Sequence, residues 1–283
     1  MPKYWLLLCL LALPVHAAPV RVLASIDPLA LLARDVGGER VQVSVLLPAG
    51  SSPHHFALRP SQRSRLDAAA LVFWGGPALE RPLSALLGQR PDDTVLALQP
   101  EDTGHESHLW LNPVLMRDAA VRLAAALTRL DPAGETYYQR RLQQVQTASR
   151  EGEWRLQQAL APYSQTPLLL DHDFLDAFWP VMGLKPPLVI RQHPESPPGT
   201  AHVAALAVVL AEQPAVCYLR EAGAPVDALA AAVTRNTTVE AGTVNVLDAG
   251  PYATYDAYLD ALGLSVRACL QAAQAQIASK KKP

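Results

Sequence analysis

The chain has 283 residues, half of them hydrophobic, with 24 Lys and Arg against 26 Asp and Glu for a formal net charge of -2. That length fits two domains of ordinary size, and the hydrophobic fraction excludes a disordered chain. Charge is balanced and no basic stripe with interleaved aromatics occurs, so nucleic-acid binding has no support; the lysines at 280–282 read as a solvated tail.

The first residues, MPKYWLLLCLLALPVHA, place Lys3 ahead of an apolar run from Trp5 to Val15 and a small residue at Ala17, the pattern of a secretory signal peptide over residues 1–17. The run falls far short of the roughly 20 residues that a bilayer-spanning helix needs. Leu8 before Cys9 argues against lipid-anchor cleavage at that cysteine. Export puts the two remaining cysteines, Cys217 and Cys269, in an oxidising compartment, where a disulfide between them is expected.

Short apolar, β-branched runs then alternate with helical patterns. VRVLASI precedes a helix expected near residues 28–36, VQVSVLLP one near 60–68, and ALVFWGG one near 77–87. TPLLLDHD, PPLVIRQ, AVCYLRE and TVNVLD repeat the rhythm in the second half. The alternation predicts an α/β protein of two lobes, residues 18–133 and 163–283, each with a mainly parallel sheet flanked by helices. Between them, residues 113–161 are almost wholly helix-forming, broken once by DPAG at 131–134. A linking helix over residues 134–162 would run about 40 Å at 1.5 Å per residue, stiff enough to limit bending between the lobes. No Walker, dinucleotide or HExxH pattern is present.

Four side chains carry the chemistry. His54 follows VQVSVLLP and the loop AGSSP, beyond a carboxyl strand end where open α/β sheets bind ligands; neighbouring His55 leaves the assignment open by one residue. His108 precedes Trp110 and Pro113, in a short loop just before a helix, with His105 upstream. His172 ends the apolar strand TPLLLD between Asp171 and Asp173, either of which could orient its ring. Asp248 ends TVNVL before Gly250 and Pro251. Taken singly, each has a plainer reading: a loop histidine, a satisfied core histidine, a turn aspartate. As a set, three imidazoles and one carboxylate fill a tetrahedral zinc shell, and only two facing halves could gather positions so far apart. The metal site is therefore expected in the cleft between the lobes. His193 and His202 read as structural or solvated, Arg59 with Pro60 as shaping the loop behind His54, and Trp110 as shielding the site.

At these residues the chain resembles the periplasmic zinc-binding proteins of ABC importers, the TroA-like group in which a rigid helix joins two lobes. GSSPHHFALRPS is similar to that group's first-ligand segment, HLWLNP to the second, HDF after an apolar strand to the third, and the aspartate of VLDAGP to a late acidic position. The resemblance implies metal ligation by His54, His108, His172 and Asp248 and delivery of the ion to a membrane permease; the leading reading is a solute-binding protein without catalysis, expected to be a monomer. It also implies a histidine at the third position in zinc binders where manganese binders carry a carboxylate, so His172 favours zinc. The loop QPEDTGHES is short where zinc-uptake members often carry a long run of His, Asp and Glu, which puts a second, loop-borne site in doubt; His105 and Glu106 could assist ion entry. Alternatives are manganese or iron uptake, a periplasmic zinc metallochaperone, and a zinc hydrolase with Glu106 or Asp173 as base.

Overall fold

Valine- and leucine-rich runs pair in parallel to build two sheets of the same design. In the computed structural model the described residues are 18–48, 51, 53, 56–101, 108–191, 197–222 and 228–280. The expected signal segment and His54, His55, His105, Glu106 and His193 lie outside them. The first sheet holds β1 (Val20–Ala24), β2 (Val41–Val45), β3 (Leu71–Trp74) and β4 (Val95–Ala97) in the order β2-β1-β3-β4. The second holds β5 (Leu168–Leu170), β6 (Leu188–Val189), β7 (Ala215–Glu221) and β8 (Thr238–Val244) in the order β6-β5-β7-β8. Every strand pair is parallel. In each sheet the order reverses between the first and third strands, which opens a crevice at their carboxyl ends.

Helices α1 (Asp27–Gly37), α2 (Pro60–Ala68) and α3 (Arg81–Leu87) flank the first sheet, and α6 (Thr200–Ala211) and α7 (Ala228–Val233) belong to the second. Proline within the first turn of α1, α2 and α3 costs no hydrogen bond there and presets the backbone. α1 stops at Gly38, whose φ of 53° favours glycine and where a Cβ would lie 2.1 Å from the Tyr137 hydroxyl.

The middle of the chain is helical, as expected. α4 (Pro113–Leu130) starts at Asn112, whose side chain accepts the backbone N–H groups of Val114 at 2.9 Å and Leu115 at 3.2 Å. After a short turn at Pro132–Gly134, α5 (Glu135–Leu160) connects the two sheets, and α8 (Tyr255–Lys280) returns along it. At 26 residues, α5 is about 39 Å long. Arg122 of α4 donates to the carbonyls of Ala97 at 2.6 Å and Leu98 at 2.9 Å, fastening α4 to the first sheet. Arg117 of α4 meets Glu153 of α5 at 2.6 Å, and Arg155 of α5 meets Asp260 of α8 at 2.8 Å.

One apolar core runs through both halves, from Val22 and Leu29 through Leu123, Tyr138 and Leu160 to Leu219, Tyr258 and Leu270. Each fully buried leucine in it contributes about 1.5–3 kcal/mol relative to exposure. Smaller clusters lie under α2 and α3, and under α6 and α7, on the outer sheet faces. Cys217 of β7 and Cys269 of α8 form a disulfide with a Cα–Cα separation of 5.4 Å.

Two elements differ from the sequence reading. The three-residue edge strand β4 was not anticipated, because so short a run carries no readable period. The last strand is Thr238–Val244 rather than TVNVLD: all seven of its residues pair with β7, and residues 245–248 lie beyond it. Asp248 therefore sits in a loop after the strand, not at its end.

Candidate metal centre

The crevice between β5 and β7 gathers the donors. β5 ends at Leu170 and the chain turns sharply, with the Phe174 N–H donating to the His172 carbonyl at 2.8 Å, which leaves His172 at the crevice mouth. Glu221 is the last residue of β7, the strand paired with β5. From the other side comes His108, immediately before the short 3-10 turn Leu109–Leu111 that leads into α4. Donor atoms of His108, His172 and Glu221 all lie within 4.8 Å of one another. His172 Nε2 stands 3.8 Å from Glu221 Oε2, and the imidazole centroids of His108 and His172 are 5.6 Å apart.

These spacings fit a single divalent ion. Tetrahedral zinc with bonds near 2 Å holds its ligand atoms about 3.3 Å apart, so a rotamer adjustment of about 1 Å would close the trio on an ion. His108 is buried, and the side chains of His172 and Glu221 keep 13% and 21% exposure, enough to leave the donors accessible.

The surroundings are anionic. The His108 N–H donates to Asp176 Oδ1 at 3.0 Å, and its ring Nδ1 lies 3.6 Å from the same oxygen. Asp171 accepts the Tyr218 hydroxyl, and Asp173 accepts the Trp179 indole N–H at 3.2 Å. Burial pushes the Glu221 carboxyl above its usual range; attraction to His108 pulls it back and repulsion from Asp171 adds to the rise. Burial also raises Asp173, with Asp176 repelling it and the Trp179 hydrogen bond and His108 opposing the shift. Carboxyl groups held out of water around two imidazoles favour a bound cation.

Of the residues expected from sequence, His108 and His172 come together here. His54 lies outside the described residues. Asp248 is not in the converging trio: its N–H and one oxygen are engaged in local turns with Asn245 at 2.8 Å and Gly250 at 3.3 Å. It lies close enough to Asp27, at the start of α1, to add to the burial that raises that carboxyl. Glu221 and Asp176 escaped the sequence reading. Glu221 was visible as the end of AVCYLRE, but its place in the crevice depends on β7 lying beside β5, which the sequence does not display.

Two parallel-sheet lobes, a connecting helix and a donor cluster at a strand-end crevice give the layout of a two-lobed binding protein with a candidate metal site. Residues 22–272 match the family described as the periplasmic component A of the zinc-uptake complex, and the chain belongs to that family. It is similar to the high-affinity zinc uptake system protein ZnuA of Yersinia pestis, 29% identical over 290 residues that cover 89% of this chain and 91% of that one. ZnuA of Paracoccus denitrificans is 26% identical over 256 residues, covering 75% and 78%. The fold also matches the periplasmic zinc binding protein TroA from Treponema pallidum, with a TM-score of 0.77 at 19% identity, over 89% of this chain and 99% of that one. As a member of that family the protein is a periplasmic metal-binding component of an ABC importer rather than an enzyme, and it passes its ion to the membrane permease.

Proposed function

We propose that the transported ion is zinc, captured between the lobes and handed to the permease for uptake. The observation that supports this most directly is the convergence of His108, His172 and Glu221 within 4.8 Å. Two imidazoles and one carboxylate suit zinc, whereas manganese favours a shell richer in oxygen. In this reading His54, from the segment that follows β2 in the sequence, and Asp248, from the loop after β8, join these three, giving zinc a five-donor shell of three imidazoles and two carboxylates rather than a tetrahedral one. Membership of the zinc-uptake family and the two zinc-uptake relatives point the same way. Residues 1–17 act as the export signal in this account, and the protein works as a monomer. Because imidazoles must be unprotonated to bind, zinc affinity falls in acid.

The test is a competitive chelator titration of the metal-free mature protein with zinc, with manganese as a parallel competitor. Tight one-to-one zinc binding that manganese does not displace is the expected result. A manganese preference would overturn the zinc assignment and favour the oxygen donors Glu221 and Asp248 as the principal ligands.

A further inference from the structure

We infer that Tyr255, the first residue of α8, is a positioning residue for the ion site, holding His108 in place through Trp110. Tyr255 is 2% exposed and is fixed at two points. Its backbone N–H donates to Asp35 Oδ2 of α1 at 2.8 Å, and its hydroxyl donates to the backbone carbonyl of Trp110 at 2.8 Å. Trp110 is fully buried and donates its indole N–H to the Val246 carbonyl at 2.7 Å.

The turn between His108 and Trp110 transmits this constraint. The Leu111 N–H donates to the His108 carbonyl at 2.9 Å and the Asn112 N–H to the Leu109 carbonyl at 3.0 Å, so the segment is a closed 3-10 turn. The Trp110 ring stands 5.1 Å from the His108 imidazole, centroid to centroid. Asp176 holds the His108 end and Tyr255 with Val246 holds the Trp110 end, all three from the half that also supplies His172 and Glu221. These three contacts tie the segment that carries His108 to the half that carries the other two donors. Removing the Tyr255 hydroxyl leaves the Trp110 carbonyl without that donor in a dry site, and the turn relaxes to recover one.

The inference rests on the ion-capture reading, so the experiment separates the two. Wild-type protein, Tyr255→Phe and Tyr138→Phe are compared in metal-free form by chelator-competed zinc titration, by visible absorption of the cobalt(II)-loaded protein, and by thermal unfolding. Tyr138 is the control: its buried hydroxyl donates to Asp131 at 2.8 Å, beside the Pro132–Gly134 turn and not in the chain of contacts to His108. Tyr255→Phe is expected to bind zinc about tenfold more weakly, the scale of one lost buried hydrogen bond, and to change the cobalt ligand-field bands. Tyr138→Phe is expected to lose thermal stability with both ion readouts at wild-type values. Wild-type affinity and an unchanged cobalt spectrum in Tyr255→Phe would overturn the positioning role, as would equal losses in both variants. Failure of wild-type protein to bind zinc or cobalt would instead overturn the ion-capture reading. If Tyr255→Phe does not fold, Asp35→Asn tests the same chain from its other end, with a smaller shift in the same direction expected and no shift overturning the role.

Discussion

The backbone N–H of Gly75 donates to Glu80 Oε2 at 2.7 Å, placing a fully buried carboxyl against the carboxyl end of β3. This is the first sheet's counterpart of the crevice that holds His172 and Glu221 in the second. Burial pushes the Glu80 carboxyl up to about 7 from 4.5, and the hydrogen bonds it accepts offset only part of that. Between pH 4.5 and 7 the folded state thus holds a proton that the unfolded state has released, and stability falls as pH rises through that window. Below 4.5 the carboxyl imposes no penalty; above 7 the penalty is complete at about 3 kcal/mol. Glu80→Gln keeps an acceptor for Gly75 and removes the charge. Denaturant unfolding of the metal-free protein should show the variant matching wild type near pH 4 and exceeding it by up to that amount at pH 8. A difference that does not vary with pH would refute the assignment.

Ligand assignments separate by magnitude. Loss of a group that merely orients a metal ligand costs about 10–100-fold in affinity, so His108→Ala and His172→Ala should each weaken zinc binding by at least about a hundredfold. Glu221→Gln, which keeps the shape and discards the charge, should fall in the same range if its oxygen bonds the ion. Asp248→Asn is the informative comparison: a loss as large as that of Glu221→Gln would place both carboxylates on zinc. His202→Ala should leave zinc binding intact, since its ring lies 2.9 Å from the Val189 carbonyl, away from the donor trio. Isothermal titration with a competing chelator reads all five.

The disulfide should matter for stability. Cys217 and Cys269 are 52 residues apart, and replacing both with serine should cost about 4 kcal/mol on the chain-entropy account. Urea unfolding of the variant, and of wild-type protein with and without reductant, gives the number. Both thiols of unreduced wild-type protein should resist alkylation under denaturing conditions.

Asn112 links helix formation to the site. Asn112→Ala removes the side-chain cap of α4 four residues after His108 and should cost about 1 kcal/mol of stability. Aspartate at this position should restore most of it, because a carboxylate also accepts first-turn N–H groups and complements the helix dipole. Thermal unfolding of the two variants decides this.

Much of this architecture was legible because its signals are local. Alternating apolar and helical runs announced two α/β halves, the DPAG break separated α4 from α5, and HLWLNP and DHDF marked His108 and His172. What escaped depends on pairing between distant segments. β8 contains Glu240 and Gly242, poor strand residues by themselves, yet it pairs along its whole length with β7, and the Leu219 side chain presses so close to Gly242 that a Cβ there would lie 2.8 Å away. Glu221 likewise comes beside His172 only once β7 lies next to β5. The apolar run TVNVLD looked more strand-like than TVEAGTV, but register with a neighbour outweighed local composition.

Trp110 uses both of its hydrogen-bonding ends on the far half of the molecule, the indole N–H on Val246 and the carbonyl on Tyr255. Tyr258 also donates to the Val246 carbonyl, at 2.7 Å, so both lone pairs of that oxygen are taken. Swinging the halves apart at this point would strand the indole and the Trp110 carbonyl together in a dry interior. These contacts predict that the two halves move as one casting rather than as a hinged trap, with a radius of gyration nearly the same with and without the ion.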